Sequence, residues 1–149
     1  MTVGVFRPAG PADLDRLLAL QTAYYAEDGY PHRPAAAAEA WALVLGTPAL
    51  GRVWLATAGD EAAAYVVLAL GFSLEYLGRD AFVDELYVAP PWRGQGLGRA
   101  ALAVVEEACR ELGVRALHLE VERDKPAATA LYRQSGFRAH DRVLMTRLL

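Results

Sequence analysis

The sequence predicts an α+β fold built on a mixed sheet, in the order β-α-α-β-β-β-α-β-α-β. Three observations carry that expectation. Ala64 to Phe72 is a continuous apolar run, the pattern of a strand buried on both faces. Leu97, Leu102, Val105, Cys109 and Leu112 recur every three to five residues, close to a helical period. Between them, Phe82 to Ala101 joins a strand, a Pro-Pro break, a glycine-rich loop and the first turn of that helix.

Taken in order, Val3, Val5 and Phe6 suggest a first strand that Pro8 stops. Pro11-Ala12-Asp13 opens a helix with Leu14, Leu17, Leu18 and Gln21 along one side and Tyr24 or Tyr25 near its end. A polar loop, Glu27 to Pro34, leads to an alanine-rich helix from Ala35 to Gly46, which Thr47-Pro48 breaks. Val53 to Ala56 reads as the second strand and Gly59-Asp60-Glu61 as a hairpin turn. The apolar run Ala64 to Phe72 is the third strand, and Ser73 to Arg79 connects it to the fourth, Ala81 to Val88. Pro90 and Pro91 end that strand, since neither can donate to a ladder. The next helix runs to about Leu112, with Gly113 as its cap. Val114 to Val121 alternates as a fifth strand, Pro126 starts a short helix to about Ser135, and Val143 to Leu148 reads as a last strand.

A chain of 149 residues sets one domain, residues 1–149, as the expectation. No apolar run approaches the ~18–20 residues that span a bilayer, so no membrane partner is expected. Met1-Thr2-Val3-Gly4 lacks a basic flank and a long apolar core, so no leader is expected and a cytoplasmic location is the default. The single cysteine, Cys109, excludes an internal disulfide and a cysteine zinc cluster, and its helical spacing places it in the core. His32, His118 and His140 have no ligand spacing, so no metal is assigned. A net charge of −3 argues against a nucleic-acid surface.

The chemistry follows from the strand-loop-helix order. A helix start leaves about four unpaired N–H groups and about half a positive charge. Glycines before it let a phosphate approach the backbone. Arg93, Gly94, Gln95, Gly96, Leu97, Gly98 and Arg99 therefore read as an anion cradle. The P-loop pattern is absent. Gly96-x-Gly98-x-x-Ala101 fits a dinucleotide fingerprint with Glu120 near the ribose acid. Against that, the fingerprint begins past mid-chain and is separated from its strand.

Arg93-x-x-Gly96-x-Gly98, after Leu86-Tyr87-Val88, resembles the signature of the GNAT superfamily of acetyl-CoA-dependent N-acetyltransferases. Ala127 to Phe137, with Leu131-Tyr132 and Gly136-Phe137, is similar to a second segment of that superfamily. The resemblance implies a mostly antiparallel central sheet with helices on both faces. Two strands, ending near Val88 and Val121, would splay around the pantetheine arm of acetyl-CoA. Leu86, Tyr87 and Val88 would pair with its amides, and the cradle would hold its pyrophosphate. Tyr132 matches the family tyrosine that protonates the leaving thiolate. Lys125 stands where the family often has Asn, and could reach a phosphate or face solvent.

The acceptor amine, with an ammonium pKa of about 10, must lose a proton. Asp84 and Glu85 are the candidate bases. Alternation along a strand puts one of them toward the acceptor. By resemblance, Asp84 stands at the place of a glutamate used by polyamine-type members, and a bulge would flip the parity to Glu85. Glu27, Asp28, Tyr30 and His32, with Glu75, Tyr76 and Asp80, are expected to cover the acceptor side and to suit an ammonium or polyamine. Tyr24 to Asp28 and Val83 to Val88 loosely resemble spermidine/spermine-type members. The reading is direct acetyl transfer to a small primary amine, with a protein N-terminus or lysine as the alternative acceptor. A homodimer through the last strand is a family expectation. A non-catalytic CoA sensor and an NAD-binding oxidoreductase are the readings from other classes.

Overall fold

Proline and glycine set most element boundaries. The computed structural model describes residues 2–149. It contains β1 (Arg7–Pro8), α1 (Leu14–Asp28), α2 (Pro34–Gly46), β2 (Gly51–Ala58), β3 (Glu61–Ser73), β4 (Gly78–Val88), α3 (Leu97–Glu111), β5 (Ala116–Leu119) and α4 (Pro126–Gln134). Short 3-10 turns at Pro11–Asp13 and Pro90–Trp92 lead into α1 and out of β4. Pro34 and Pro126 open α2 and α4, where a missing N–H costs nothing.

The strands form one sheet in the order β1-β2-β3-β4-β5. The first three pairings are antiparallel and β4–β5 is parallel. α3 supplies the crossover that a parallel pair needs. β3 explains the two-sided core. Val66 and Leu68 pack with Leu102, Val105 and Cys109 of α3. Tyr65 and Val67 pack with Leu17, Leu20 and Trp41 of α1 and α2. Helices therefore cover both faces. Cys109 is buried there, and burial pushes its thiol pKa up.

One ion pair joins β1 to the start of α1. Arg7 donates to both oxygens of the buried Asp13, at 2.9 and 2.8 Å, and the Gly10 N–H donates at 3.0 Å. The guanidinium holds the Asp13 carboxyl down to about 2.

Two strand expectations are corrected. The first strand is not Val3 to Phe6 but Arg7–Pro8, at the sheet edge, where a proline is tolerated. Val3 and Phe6 pack against the core, while Val5 is exposed. The last strand is absent: Val143 to Leu148 is outside the sheet, with Val143, Leu144, Met145 and Leu148 exposed. β5 is also shorter than Val114 to Val121, because β4 turns away from it beyond Leu119.

Candidate active site

β4 and β5 pair only from Asp80↔Ala116 to Val83↔Leu119. Beyond Val83 the strands part, so Leu86, Tyr87 and Val88 have β3 on one side and no β5 neighbour on the other. Buried backbone groups need partners. At the end of this stretch the Arg93 Nε–H donates to the Val88 carbonyl at 2.9 Å. A cavity of about 600 Å3 occupies the gap. Leu86, Val88, Gly94, Lys125 and Tyr132 are among its walls.

The glycine loop sits at one end of this cavity. Gly94 and Gly96 have φ of +75° and +83°, which L side chains rarely adopt. A Cβ on either would meet nothing within 4 Å, so the space beside them is open. Gly98 packs closely on α4, since a Cβ there would stand 2.9 Å from a methyl of Leu131, whose side chain would have to shift. The first bond of α3 runs from the Ala100 N–H to the Gly96 carbonyl at 3.0 Å. The amides of Leu97, Gly98 and Arg99 precede that bond and lie outside the helical ladder. The Leu97 side chain is buried beside Ala56, Ala64 and Trp92, so only its backbone can serve a ligand. Gln95 is exposed, and the Arg99 guanidinium is tied to Gln134 at 3.2 Å.

The cavity mouth is bridged by charge. Glu27 and Asp28 belong to the last turn of α1, not to a loop. Arg93 donates to both Glu27 oxygens at 2.7 Å, and Lys125 donates to Asp28 at 3.0 Å. The Arg93 guanidinium draws the Glu27 carboxyl below the usual carboxylate range. The Tyr87 hydroxyl also donates to Glu27, at 3.2 Å, and the Tyr30 hydroxyl to Glu122. Tyr24 stacks on Tyr87 at 5.2 Å and meets Tyr30 edge-on at 6.0 Å. This mouth is acidic and aromatic, with its two cations, Arg93 and Lys125, each held by a carboxylate.

Tyr132, on α4, lines the cavity and packs against Phe137 at 6.1 Å. Burial alone pushes its phenol pKa up, so it stays protonated at neutral pH.

The two candidate bases are separated by a bulge. Val67 pairs with Glu85 and Leu68 with Val83, which leaves Asp84 as the extra residue on β4. Val83 and Leu86 pack toward α3, while Glu85 and Tyr87 turn toward α1. Glu85 accepts from Gln21 on α1 and from the hydroxyls of Tyr25 and Tyr65. Burial pushes its carboxyl pKa up, and those hydrogen bonds pull it back. Asp84 has only desolvation acting on it, also upward. Its exposed face lets water screen part of that effect. Neither carboxylate lines this cavity.

The connection after β3 does not join the mouth. Glu75 is held by Arg142, and Tyr76 and Asp80 stand beside His118 at 5.2 and 3.2 Å. Among the described residues no group of three or more His, Cys, Asp or Glu could hold a metal ion. No helix is long and apolar enough to cross a membrane among the described residues. Sequence reasoning missed Trp41 and Tyr65 as members of the site. Gln21 had a signal, an amide on an otherwise apolar helix stripe. Tyr65 had another, a hydroxyl inside a continuous apolar run.

Residues 14–137 match the family model described as "Acetyltransferase (GNAT) family". An uncharacterized N-acetyltransferase, YycN, of Bacillus subtilis (strain 168) is 35% identical over 74 residues, which cover 50% of this chain and 47% of that protein. An aminoglycoside N(6')-acetyltransferase type 1 of Stenotrophomonas maltophilia is 37% identical over 67 residues, covering 45% and 44%. The chain thus spans about half the length of these relatives. The crystal structure of an integron cassette protein, HFX_CASS3, from the mobile metagenome of Cole Harbour Salt Marsh is 41% identical. It has a TM-score of 0.87 and covers 97% of this chain and 90% of that one.

Proposed function

The chain belongs to the acetyltransferase (GNAT) family, and from that premise we propose that it moves the acetyl group of acetyl-CoA directly to a primary amine of a small cationic molecule. The observation that carries this reading is the stretch Leu86 to Val88, which has no strand on its β5 side and faces a cavity that ends at the free amides of α3. An extended arm bearing amides fits the first, and a pyrophosphate fits the second. Acetyl-CoA, when bound, supplies an activated thioester. The backbone of Leu86 to Val88 would orient its arm, and Gly94 to Arg99 would hold its pyrophosphate through N–H groups. Arg93 and Lys125, held by Glu27 and Asp28 in this structure, would be the cations available to its phosphates. Tyr132 holds the proton for the leaving thiolate.

Glu27, Asp28 and Tyr30, with Tyr24, form the acceptor side. Carboxylates beside aromatic faces suit an ammonium. Polyamines and aminoglycosides both carry several such groups, and an aminoglycoside acetyltransferase is among the relatives. Cys109 is buried on the core face of α3, so transfer runs without an acetyl-cysteine. A cytoplasmic location belongs to the same proposal.

The test is thermal unfolding with saturating acetyl-CoA, CoA or NAD. Ligand at 100 times its Kd adds about 2.7 kcal/mol, a rise of several degrees. A shift with both CoA species and none with NAD is expected. No CoA shift overturns the transferase reading, and a shift with NAD alone selects the dinucleotide reading. A screen for thiol release with spermidine, an aminoglycoside and an N-terminal peptide then separates the acceptor classes.

A second copy of the chain is part of this proposal. The outer edge of β5 carries no further strand and borders a groove of about 790 Å3 lined by Leu117, Leu119 and Phe137. The exposed apolar residues Val143, Leu144, Met145 and Leu148 are strand-like in sequence and have no place in their own sheet. A partner's tail added to that edge would cover both surfaces. Light scattering is expected to give a dimer for the full chain and a monomer after truncation at Arg142. A full chain that is monomeric at high concentration defeats the pairing.

A further inference from the structure

The Glu85 carboxylate has no cation beside it and no acceptor position left. A carboxylate offers about four lone-pair sites. Gln21 Nε2 donates to Oε1 and Oε2 at 3.1 and 3.0 Å. The Tyr65 hydroxyl donates to Oε1 at 2.8 Å and the Tyr25 hydroxyl to Oε2 at 3.1 Å. A substrate ammonium therefore cannot reach Glu85 directly without displacing one of these donors.

The chain of hydrogen bonds has a fixed direction. The Trp41 Nε1–H donates to Gln21 Oε1 at 2.9 Å. An indole N–H can only donate, so the Gln21 amide cannot flip, and its NH2 must face Glu85. An amide does not pass protons on under these conditions. Tyr65 is fully buried. Tyr25 is the remaining donor. It is half-buried, and its ring meets Tyr24 and Tyr30, which line the cavity mouth, at 5.4 and 5.6 Å.

We infer that Tyr25 is a further catalytic residue, which carries the proton of the acceptor ammonium to Glu85. The inference rests on the acetyltransferase reading above. In the step, the ammonium N–H bond breaks and its proton binds the Tyr25 oxygen. The phenolic proton of Tyr25 moves at the same time to Glu85 Oε2. The products are a neutral amine with a free electron pair, a neutral Tyr25 and a protonated Glu85. The two transfers must be concerted, because burial and the Glu85 charge push the Tyr25 pKa up to about 12 and disfavour a free phenolate. The groups facing Glu85 are Gln21, Tyr24 and Tyr25 from α1, Trp41 of α2 through Gln21, Tyr65 from β3 and Asp84 from β4. Gln21 and Trp41 are positioning residues. They hold Glu85 as an acceptor and keep Tyr25 as its one outlet.

The test uses the amine that gives the most thiol release in the screen above. Tyr25→Phe is expected to lower kcat by about 10²-fold, within the usual range for general acid–base groups. The Kd for acetyl-CoA, which also reports that the variant is folded, should stay within a factor of about three. Glu85→Gln should cost at least as much. The double variant should be no worse than Glu85→Gln, because the two groups act as one unit. Gln21→Met removes donors to the Glu85 anion and is expected to move the acid limb of kcat/KM to higher pH, with donor Kd unchanged. Wild-type kcat in Tyr25→Phe, or a double variant whose losses multiply, overturns the inference. So does an active Glu85→Gln, and then Asp84→Asn should be the inactive one while the transferase reading stands. No thiol release with any amine removes the reaction and the inference with it, whereas the CoA thermal shift would still report donor binding.

Discussion

Gly96→Asp is expected to abolish acetyl-CoA binding while leaving the protein folded. Gly96 stands before the first turn of α3 at φ +83°. An L residue there costs about 1 kcal/mol, and Asp tolerates the conformation better than most. A Cβ meets nothing within 4 Å, so no core contact is disturbed. The added carboxylate would lie beside the free amides of Leu97, Gly98 and Arg99. It would take the place of a phosphate and repel the rest. A loss of at least about 100-fold in affinity, about 2.8 kcal/mol, is expected by calorimetry. Gly96→Ala is the control, since it has the same strained φ without the charge and should lose much less. Equal losses would assign the effect to backbone strain. Unchanged binding in Gly96→Asp would remove the anion cradle altogether.

The cradle was readable because its chemistry is local. Glycines, a helix start and flanking arginines lie within seven residues, 93 to 99. The two-sided burial of β3 was readable for the same reason, since its apolar run is continuous. The parity of Asp84 and Glu85 was not. It depends on one extra residue at the Val67/Leu68 register shift, and only the pairing of β4 with β3 reveals that. Gln21, Tyr25 and Tyr65 reach Glu85 across 64, 60 and 20 residues of sequence, so no local pattern marks them as one cluster. Val143 to Leu148 failed in the opposite way. Its residues have strand propensity, but a strand exists only where another strand pairs with it. Glu27 and Asp28 read as loop in the sequence because the stretch to Pro34 is polar and carries two prolines. The αL cap at Gly29, φ +72°, lets α1 keep both carboxylates in its final turn.

Tyr132→Phe is expected to lower kcat by about 10²–10⁴-fold with little change in donor affinity. The phenyl ring keeps the contact with Phe137 and the packing against the α3-side core, so the fold and the cavity wall survive. What disappears is one proton. Burial raises the phenol pKa above its ordinary value of 10.0, so at neutral pH the group is a donor and not a base. The sign matters for the pH profile. A raised pKa keeps Tyr132 protonated until well into the alkaline range, so its loss should not move the acid limb of kcat/KM. Variants of Glu85 and its partners should move that limb, which separates the acid of the reaction from its base. An acceptor side that only bound amine would show a rise in KM instead, with kcat preserved. Pre-steady-state thiol release gives the cleanest reading, because it reports the step in which the thiolate leaves. If that step runs at the wild-type rate in Tyr132→Phe, another group or water protonates the thiolate, and Tyr132 is only a wall of the cavity.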